Sequence, residues 1–127
     1  MPHKSRFCAF VIDCDEGRDL DAATTFWAAA LGRAAKPVDP TSPTYRALDV
    51  RATEPLALVQ TVPHPSRVHL DIESDDVDAE VARLEKLGAK RIEKRHTWWI
   101  LEAPTGHRFC VVRPQRGPLG EDANVWP

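Results

Sequence analysis

The sequence predicts an α+β protein built from two βαβββ modules. Two observations predict this fold class. The order strand, helix and three strands can be read twice along the chain, and in each half a Leu-Gly pair follows the helix, at Leu31-Gly32 and at Leu87-Gly88. Mixed strand and helix patterns of this kind argue against an all-β sandwich. One helix covers only one face of such a module, so each module needs a second one beside it.

The first module is predicted over residues 6–61. An apolar strand, RFCAFVIDC, opens it, and a helix follows whose apolar stripe ends at Gly32, a residue suited to the left-handed position after a helix. Short apolar runs then indicate three strands. The predicted elements are strand 6–14, helix 19–31 and strands 33–38, 45–50 and 55–61.

The second module is predicted over residues 67–113. Val68, Leu70 and Ile72 alternate with polar residues, which is the period of a half-buried strand. Asp75 or Asp76 can cap the helix that follows, and Gly88 ends it. The predicted later strands are residues 91–95, 98–102 and 108–113.

The whole chain is predicted to be one domain. Its 127 residues are enough to bury a core but too few for two ordinary domains. The modules are joined by a proline-rich linker at residues 62–66, and residues 114–127 are expected to form an irregular tail.

Composition excludes several classes of function. A formal net charge of −2 gives no electrostatic reason to expect nucleic acid or an anionic membrane as partner. No apolar stretch is long enough to span a bilayer, and the N-terminal stretch lacks the pattern of a signal peptide. The three cysteines, Cys8, Cys14 and Cys110, are interpreted as free thiols in a reducing compartment, so we expect a cytoplasmic protein.

Three stretches carry a resemblance to a known family: DLDAATTFWAAALG, RVHLDIESDDVDAEVARLEKLGAKRI and APTGHRFCVV. Together with the paired modules, they resemble the glyoxalase / bleomycin-resistance / extradiol-dioxygenase (vicinal oxygen chelate) superfamily, and within it the glyoxalase-like domain branch. The resemblance covers about residues 6–113. It implies that the strands form a cupped mixed sheet with the helices outside. Members include enzymes and pure binding proteins, so the fold does not give the function.

The resemblance also implies where a metal would bind. In metal-dependent members, one side chain from the first and one from the last strand of each module meet at the centre of the cup. The equivalent residues here are Cys8, Gln60, His69 and Cys110. None supplies the carboxylate that a hard cation prefers, although two thiolates and an imidazole can bind Zn²⁺. The alternative is that Cys8 and Cys110 are small buried apolar residues. We therefore expect no metal cofactor.

The predicted site is the concave side of the sheet. The candidates for acid-base catalysis are His69, Asp71 and Glu73, which alternate along one strand; Asp71 and Glu73 were considered as a buried acid pair with one raised pKa. Val68, Leu70 and Ile72 would then face the helix. Trp98 and Trp99 must point to opposite faces, and the sequence leaves open which one meets a ligand. The predicted ligand-binding residues are Phe10, Leu58, Gln60, His69, Trp98, Trp99 and Cys110.

Two functions remain open on the sequence. One is metal-free binding of a small organic molecule in the cup, and the other is a metal-dependent or acid-base lyase, isomerase or dioxygenase. The resemblance implies a homodimer, with the Trp126 tail and the charged strand at residues 90–95 as candidate interface edges.

Overall fold

The computed structural model describes residues 2–127 and confirms the α+β class. Within these residues the chain forms eight strands and two helices. No helix in the described range is both long enough and apolar enough to cross a bilayer. The elements in chain order are β1 His3–Asp15, α1 Leu20–Leu31, β2 Tyr45–Ala47, β3 Leu56–Val62, β4 Arg67–Ser74, α2 Val77–Lys86, β5 Lys90–Arg95, β6 Trp98–Glu102, β7 Arg108–Val112 and β8 Asn124–Trp126.

Contacts divide the chain into two compact units. The N-terminal unit is Ala9–Val68, and the C-terminal unit combines the residues up to Cys8 with His69–Pro127. The long first strand therefore contributes its two halves to different units. Each unit is described by itself below.

The N-terminal unit contains the second half of β1, α1, β2 and β3. β1 and β3 are parallel, and β2 is antiparallel to β3. Helix α1 begins at the Asp19 cap, whose side chain accepts a hydrogen bond from the Asp21 amide. It ends at Gly32, which adopts the left-handed conformation with a φ of 65°, as the sequence predicted.

The prediction of a strand at residues 33–38 is wrong. The structure has a single bridge there, in which the Lys36 amide donates to the Ala47 carbonyl and the Asp49 amide donates to the Ala34 carbonyl. Pro37 has no amide hydrogen, so the ladder cannot continue past this bridge. The first module therefore lacks one of its expected full strands.

The C-terminal unit contains the complete second module. Its strands follow the order β1, β4, β7, β6 and β5, and β8 pairs with the start of β1. β4 and β7 are parallel, while β6 is antiparallel to both β7 and β5. Helix α2 is capped by Asp76, one of the two residues predicted for this position.

The core of the C-terminal unit lies between α2 and one face of this sheet. Its buried members are Val81, Leu84, Leu101 and Val111. Ile72, Val77, Ala89, Trp99 and Phe109 pack around them. Gly88 follows α2 with a φ of 107°, and a Cβ there would lie 3.1 Å from Pro104 Cγ. Both facts explain why the chain has glycine at the point where α2 turns back toward the sheet.

The tail is not wholly irregular, contrary to the prediction. Its last residues form β8, and Trp126 Nε1 donates to Ser5 Oγ at 2.9 Å. The Arg83 guanidinium lies 3.8 Å from the centre of the Trp126 ring, an arrangement typical of a cation–π contact. Sequence periodicity could not reveal this strand, because it has only three residues and its partner lies at the other end of the chain.

Candidate functional site

The helix-free face of the C-terminal unit brings the strongest site candidates together. Ile72 on β4 and Val111 on β7 belong to the core under α2. Side chains alternate along a strand, so His69, Asp71 and Cys110 point to the opposite face. We use "helix-free face" for that side of β4, β7 and β6. Asp71 and Cys110 are direct partners in the parallel β4–β7 ladder.

His69, Asp71 and Cys110 form a compact cluster on this face. One nitrogen, oxygen or sulfur atom from each lies within 4.8 Å of the others. His69 Nε2 is 3.4 Å from Asp71 Oδ1, and their side chains are only 13% and 14% exposed. Asp71 Oδ1 is buried and makes no hydrogen bond among the described residues. Such a group is costly to bury, which is typical of a position that meets a ligand or an ion.

Strand β6 settles which tryptophan shares this face. Trp99 packs into the α2 core, and the Arg91 guanidinium lies 5.0 Å from its ring. Trp98 is therefore on the helix-free face, together with Ile100, which pairs directly with Cys110. The ligand-binding role of Trp99 stays a prediction, and the contacts of its ring with the α2 core and Arg91 do not support it. Ile100 was not anticipated, because its place depends on the β6–β7 register.

Glu73 has a different environment from Asp71. It is fully buried, and its Oε2 accepts from Arg6 Nε at 3.0 Å. Its Oε1 accepts from the amides of Gln115 and Arg116 at 2.7 and 3.1 Å. Both carboxylate oxygens therefore bind the protein itself. This environment favours a structural role, and the catalytic role of Glu73 stays a prediction.

Cys8 is a buried, neutral thiol. The residue is only 1% exposed. Burial is the main reason that the pKa of the Cys8 thiol is raised to about 12, and the negative charges of Glu73 and Asp71 raise it further. A thiol with this pKa is protonated near neutral pH, and only the thiolate is a good nucleophile or metal ligand. Cys8 therefore resembles the small apolar residue of the alternative interpretation.

The remaining predicted ligand-binding residues lie in the N-terminal unit. Gln60 Nε2 donates to Asp13 Oδ1 at 2.7 Å, and these residues are also partners in the β1–β3 ladder. Leu58 pairs with Val11 and is buried, whereas Phe10 pairs with Ala57 and is 43% exposed.

The assumption that Phe10, Leu58 and Gln60 share one face of their sheet is wrong. Partners in a parallel ladder point to the same side, so Phe10 lies on the side opposite Leu58 and Gln60. The sequence gives each strand's alternation but not the register between two strands. The ligand-binding role of these three residues stays a prediction.

None of the three cysteines forms a disulfide among the described residues, as expected from their odd number and their spacing. Cys8 and Cys14 are buried, and Cys110 is half-buried. Burial is also the main cause that raises the pKa of Cys14, with the negative charges of Asp13 and Asp15. Cys110 is thus the most accessible thiol of the three.

Comparison with known families gives one match. Residues 9–112 match the family described as "Glyoxalase-like domain", which covers most of the chain. Among curated proteins, none matches the sequence.

Several solved structures share the fold. Methylmalonyl-CoA epimerase from Mycobacterium tuberculosis is 16% identical, with a TM-score of 0.60 over 86% of this chain and 87% of that one. A methylmalonyl-CoA epimerase in complex with methylmalonyl-CoA is 19% identical, with a TM-score of 0.60 over 87% and 94%. A hypothetical protein from Bacillus halodurans is 9% identical, with a TM-score of 0.62 over 91% and 99%. At these identities the likeness concerns the fold alone.

Proposed function

The chain belongs to the glyoxalase-like domain family, and on that premise we propose that it binds a small organic molecule on the helix-free face, without a catalytic metal. The observation that carries the proposal is the convergence of His69, Asp71 and Cys110 beside Trp98 and Ile100. Small-molecule sites combine an apolar lining with a few converging polar groups in this way.

The polar cluster sets the chemistry of the bound group. The His69 imidazole can donate or accept a hydrogen bond, and Asp71 lies within reach to orient it. Asp71 Oδ1 has no other hydrogen bond among the described residues, so it can accept one from a ligand. A ligand hydroxyl can satisfy both groups, because it donates to Asp71 and accepts from His69, whereas a carbonyl oxygen can only accept from His69.

Replacement of His69 tests this proposal. A panel of small carbonyl and hydroxyl compounds, with methylmalonyl-CoA added because a structural neighbour binds it, is screened by thermal shift and then by calorimetry. Losing one hydrogen bond to a ligand costs about 0.5–1.5 kcal/mol, or roughly twofold to tenfold in Kd. His69→Ala should weaken binding of any hit by at least that factor.

His107→Ala is the matched control. His107 is exposed in the turn before β7, where its Nδ1 lies 2.7 Å from the Thr105 hydroxyl. This variant should bind like the unmodified protein. A hit whose affinity is unchanged by His69→Ala but reduced by a substitution on the outer surface of α2 would place the site elsewhere.

A metal-dependent enzyme is the second candidate function. A specific observation favours it: Asp71 brings a carboxylate to His69 and Cys110, whereas the four positions considered in the sequence offered none. An imidazole, a carboxylate and a thiolate within 4.8 Å of one another suit Zn²⁺, which in catalytic sites takes three protein ligands and keeps one position open. When bound there, a metal ion would polarise a substrate oxygen.

In that case the chain's own groups have defined tasks. His69, Asp71 and Cys110 would hold the ion, and Trp98 and Ile100 would exclude water from one side of the substrate. A metal-free acid-base enzyme is a weaker form of the same candidate, in which His69 moves a proton while Asp71, 3.4 Å from its Nε2, orients the ring.

Metal content separates the two candidates. Protein purified without chelator is dialysed against Zn²⁺ and then against buffer, and its zinc is measured by elemental analysis. The metal-free proposal expects well below one zinc per chain. A value near one that is lost in Asp71→Asn and in Cys110→Ser, but retained in Cys14→Ser, would establish the metal site instead.

We also propose that two chains pair. Trp126 is not free to act as a partner surface, because Arg83 covers its ring and Ser5 accepts its indole hydrogen bond. The exposed strand β5 is the remaining candidate edge, since all six of its residues are exposed. Light scattering at concentrations on the order of tens of micromolar, where weak dimers form, should give the mass of a dimer, and a monomer would refute the pairing.

We also propose that the protein is located in the cytoplasm.

A further inference from the structure

The apolar end of the helix-free face is an aromatic surface. Trp98 lies on this face because its neighbour Trp99 packs against α2. Ile100 lies between Trp98 and the polar cluster, as the direct partner of Cys110 in the β6–β7 ladder. The face therefore changes from polar to apolar, first across the strands from Asp71 through Cys110 to Ile100 and then along β6 to Trp98.

The hairpin between β5 and β6 fixes the Trp98 ring. Its loop consists of His96 and Thr97, and His96 has a φ of 48°, the only positive φ of a non-glycine residue among those the structure describes. The left-handed conformation is uncommon for such a residue. It places the His96 imidazole 5.8 Å from the Trp98 ring at an angle of 44°. Trp98 is thus held at the end of the face by a tight turn.

Strand geometry gives the distance between the two ends. Neighbouring strands are about 4.8 Å apart and residues rise about 3.3 Å along a strand, so Trp98 lies ~8 Å from Cys110 and ~12 Å from Asp71 by backbone spacing. A molecule that meets both ends must bridge this length. A flat molecule of two or three conjugated rings has a length of this order.

The charges of this face disfavour an anionic ligand. Arg95 at the hairpin pairs with Glu93, and Arg108 on β7 pairs with Glu102 at 3.3 Å. Asp71 adds a carboxylate at the polar end. An anion at the polar end would meet the like charge of Asp71, whereas a neutral hydroxyl meets hydrogen-bonding partners.

We propose that the ligand is a neutral, flat molecule of about two or three conjugated rings with a hydroxyl group at one end, placed with its hydroxyl at His69 and Asp71 and its ring system on Trp98. This inference rests on the proposed binding function and names the class of ligand. Stacking on an indole ring selects planar over saturated rings, because aromatic pairs are worth about 0.5–1.5 kcal/mol beyond their buried area.

The test uses two probes of the same size and polar group. 2-Naphthol is planar and decahydro-2-naphthol is not, and 2-naphthoate adds the anionic end. Calorimetry on the full chain should show 2-naphthol binding at least ~2-fold more tightly than the saturated alcohol, and more tightly than 2-naphthoate. Trp98→Leu should remove the preference for the planar alcohol, while Trp99→Leu, on the other face of the same strand, should retain it.

If Trp99→Leu does not fold, Trp126→Leu serves as the control variant in its place. Equal affinity for the planar and saturated alcohols, a preference that survives Trp98→Leu, or no binding of 2-naphthol at all would each overturn the inference. The proposed function is judged separately by His69→Ala and the wider panel. A nonplanar hit that needs His69 would therefore leave that function standing while removing the aromatic ligand.

Discussion

At the scale of single residues, the environment of each side chain decides its chemistry. His69, Asp71 and Glu73 alternate along β4, and their shared face was predictable from that period and agrees with the packing of Ile72 under α2. Their different environments were not predictable. Glu73 is bound by Arg6 and by the Gln115 amide, more than 40 residues away in sequence on either side. Local patterns carry no information about such contacts.

The three cysteines should differ in reactivity. Cys8 is buried with a pKa raised to about 12, and Cys14 is buried with a raised pKa, whereas Cys110 is half-buried beside His69. Iodoacetamide near neutral pH should therefore modify one cysteine much faster than the others, since reaction needs an accessible thiolate. Mass spectrometry of peptides should assign the fast site to Cys110. Fast modification of Cys8 would contradict the burial described here.

Glu54 should stabilise the N-terminal unit in a pH-dependent way. Hydrogen bonds from the Arg33 side chain, and then from the Arg51 amide, lower the pKa of Glu54 from 4.5 to about 2. A carboxyl group whose pKa is lowered by folding stabilises the folded protein fully at any pH above its pKa in the unfolded chain. This stabilisation is lost as the pH falls through the pKa of the group in the folded protein. The stabilisation should thus be complete above about pH 5 and disappear between about pH 4.5 and pH 2.

Urea unfolding of Glu54→Gln measures this effect. The difference in free energy of unfolding from the unmodified protein should be largest near neutral pH and should vanish by about pH 2. Glu16→Gln is the control, because Glu16 is exposed and its only described hydrogen bond is made by its backbone amide. A Glu54→Gln difference that is independent of pH would show that its charge is not responsible.

At the scale of elements, helix α2 covers less of β4 than the alternation suggested. Val68, Leu70 and Ile72 were all expected to face the helix, but only Ile72 packs into its core. Val68 and Leu70 are 53% and 44% exposed. The helix has ten residues, so it is about 15 Å long and reaches only part of the strand. The sequence gives the period of a strand but not how far its neighbour extends.

Two leucine substitutions should therefore differ in cost. Leu101 on β6 is fully buried under α2, and Leu101→Ala should reduce the free energy of unfolding by about 2–5 kcal/mol through lost burial and a cavity. Leu70→Ala should cost roughly 1 kcal/mol, because nearly half of its surface is already exposed. Chemical denaturation of both variants measures the difference. Equal costs would mean that Leu70 is covered, for example by a second chain.

At the scale of the whole molecule, the tail is part of the C-terminal unit. Arg6 Nη1 lies 2.9 Å from both carboxylate oxygens of Asp122, and Arg116 Nη1 donates to the Phe7 carbonyl at 3.0 Å. With β8 and the amides bound to Glu73, these contacts join the last residues to the first strand. The fold class and the second module could be predicted from period and turns, whereas these links join distant residues and could not.

Removal of residues 114–127 should destabilise the chain. Glu73 would lose two amide donors and Arg6 would lose its second carboxylate, and buried polar groups left without partners cost about 1–3 kcal/mol each. We expect a loss of at least ~2 kcal/mol in the free energy of unfolding, measured in urea. Removal of Pro127 alone should have little effect. Unchanged stability after the full truncation would contradict the contacts described for the tail.

The central claim is that a small molecule binds on the helix-free face around His69. Its most direct test is the map of amide chemical-shift changes in the NMR spectrum of the ¹⁵N-labelled protein, with 2-naphthol or the tightest compound of the screen as ligand. We predict the largest changes near His69, Asp71, Trp98 and Cys110, and small changes along α2 and β8. Changes concentrated on α2 or on the tail, with His69 and Cys110 unaffected, would contradict the claim.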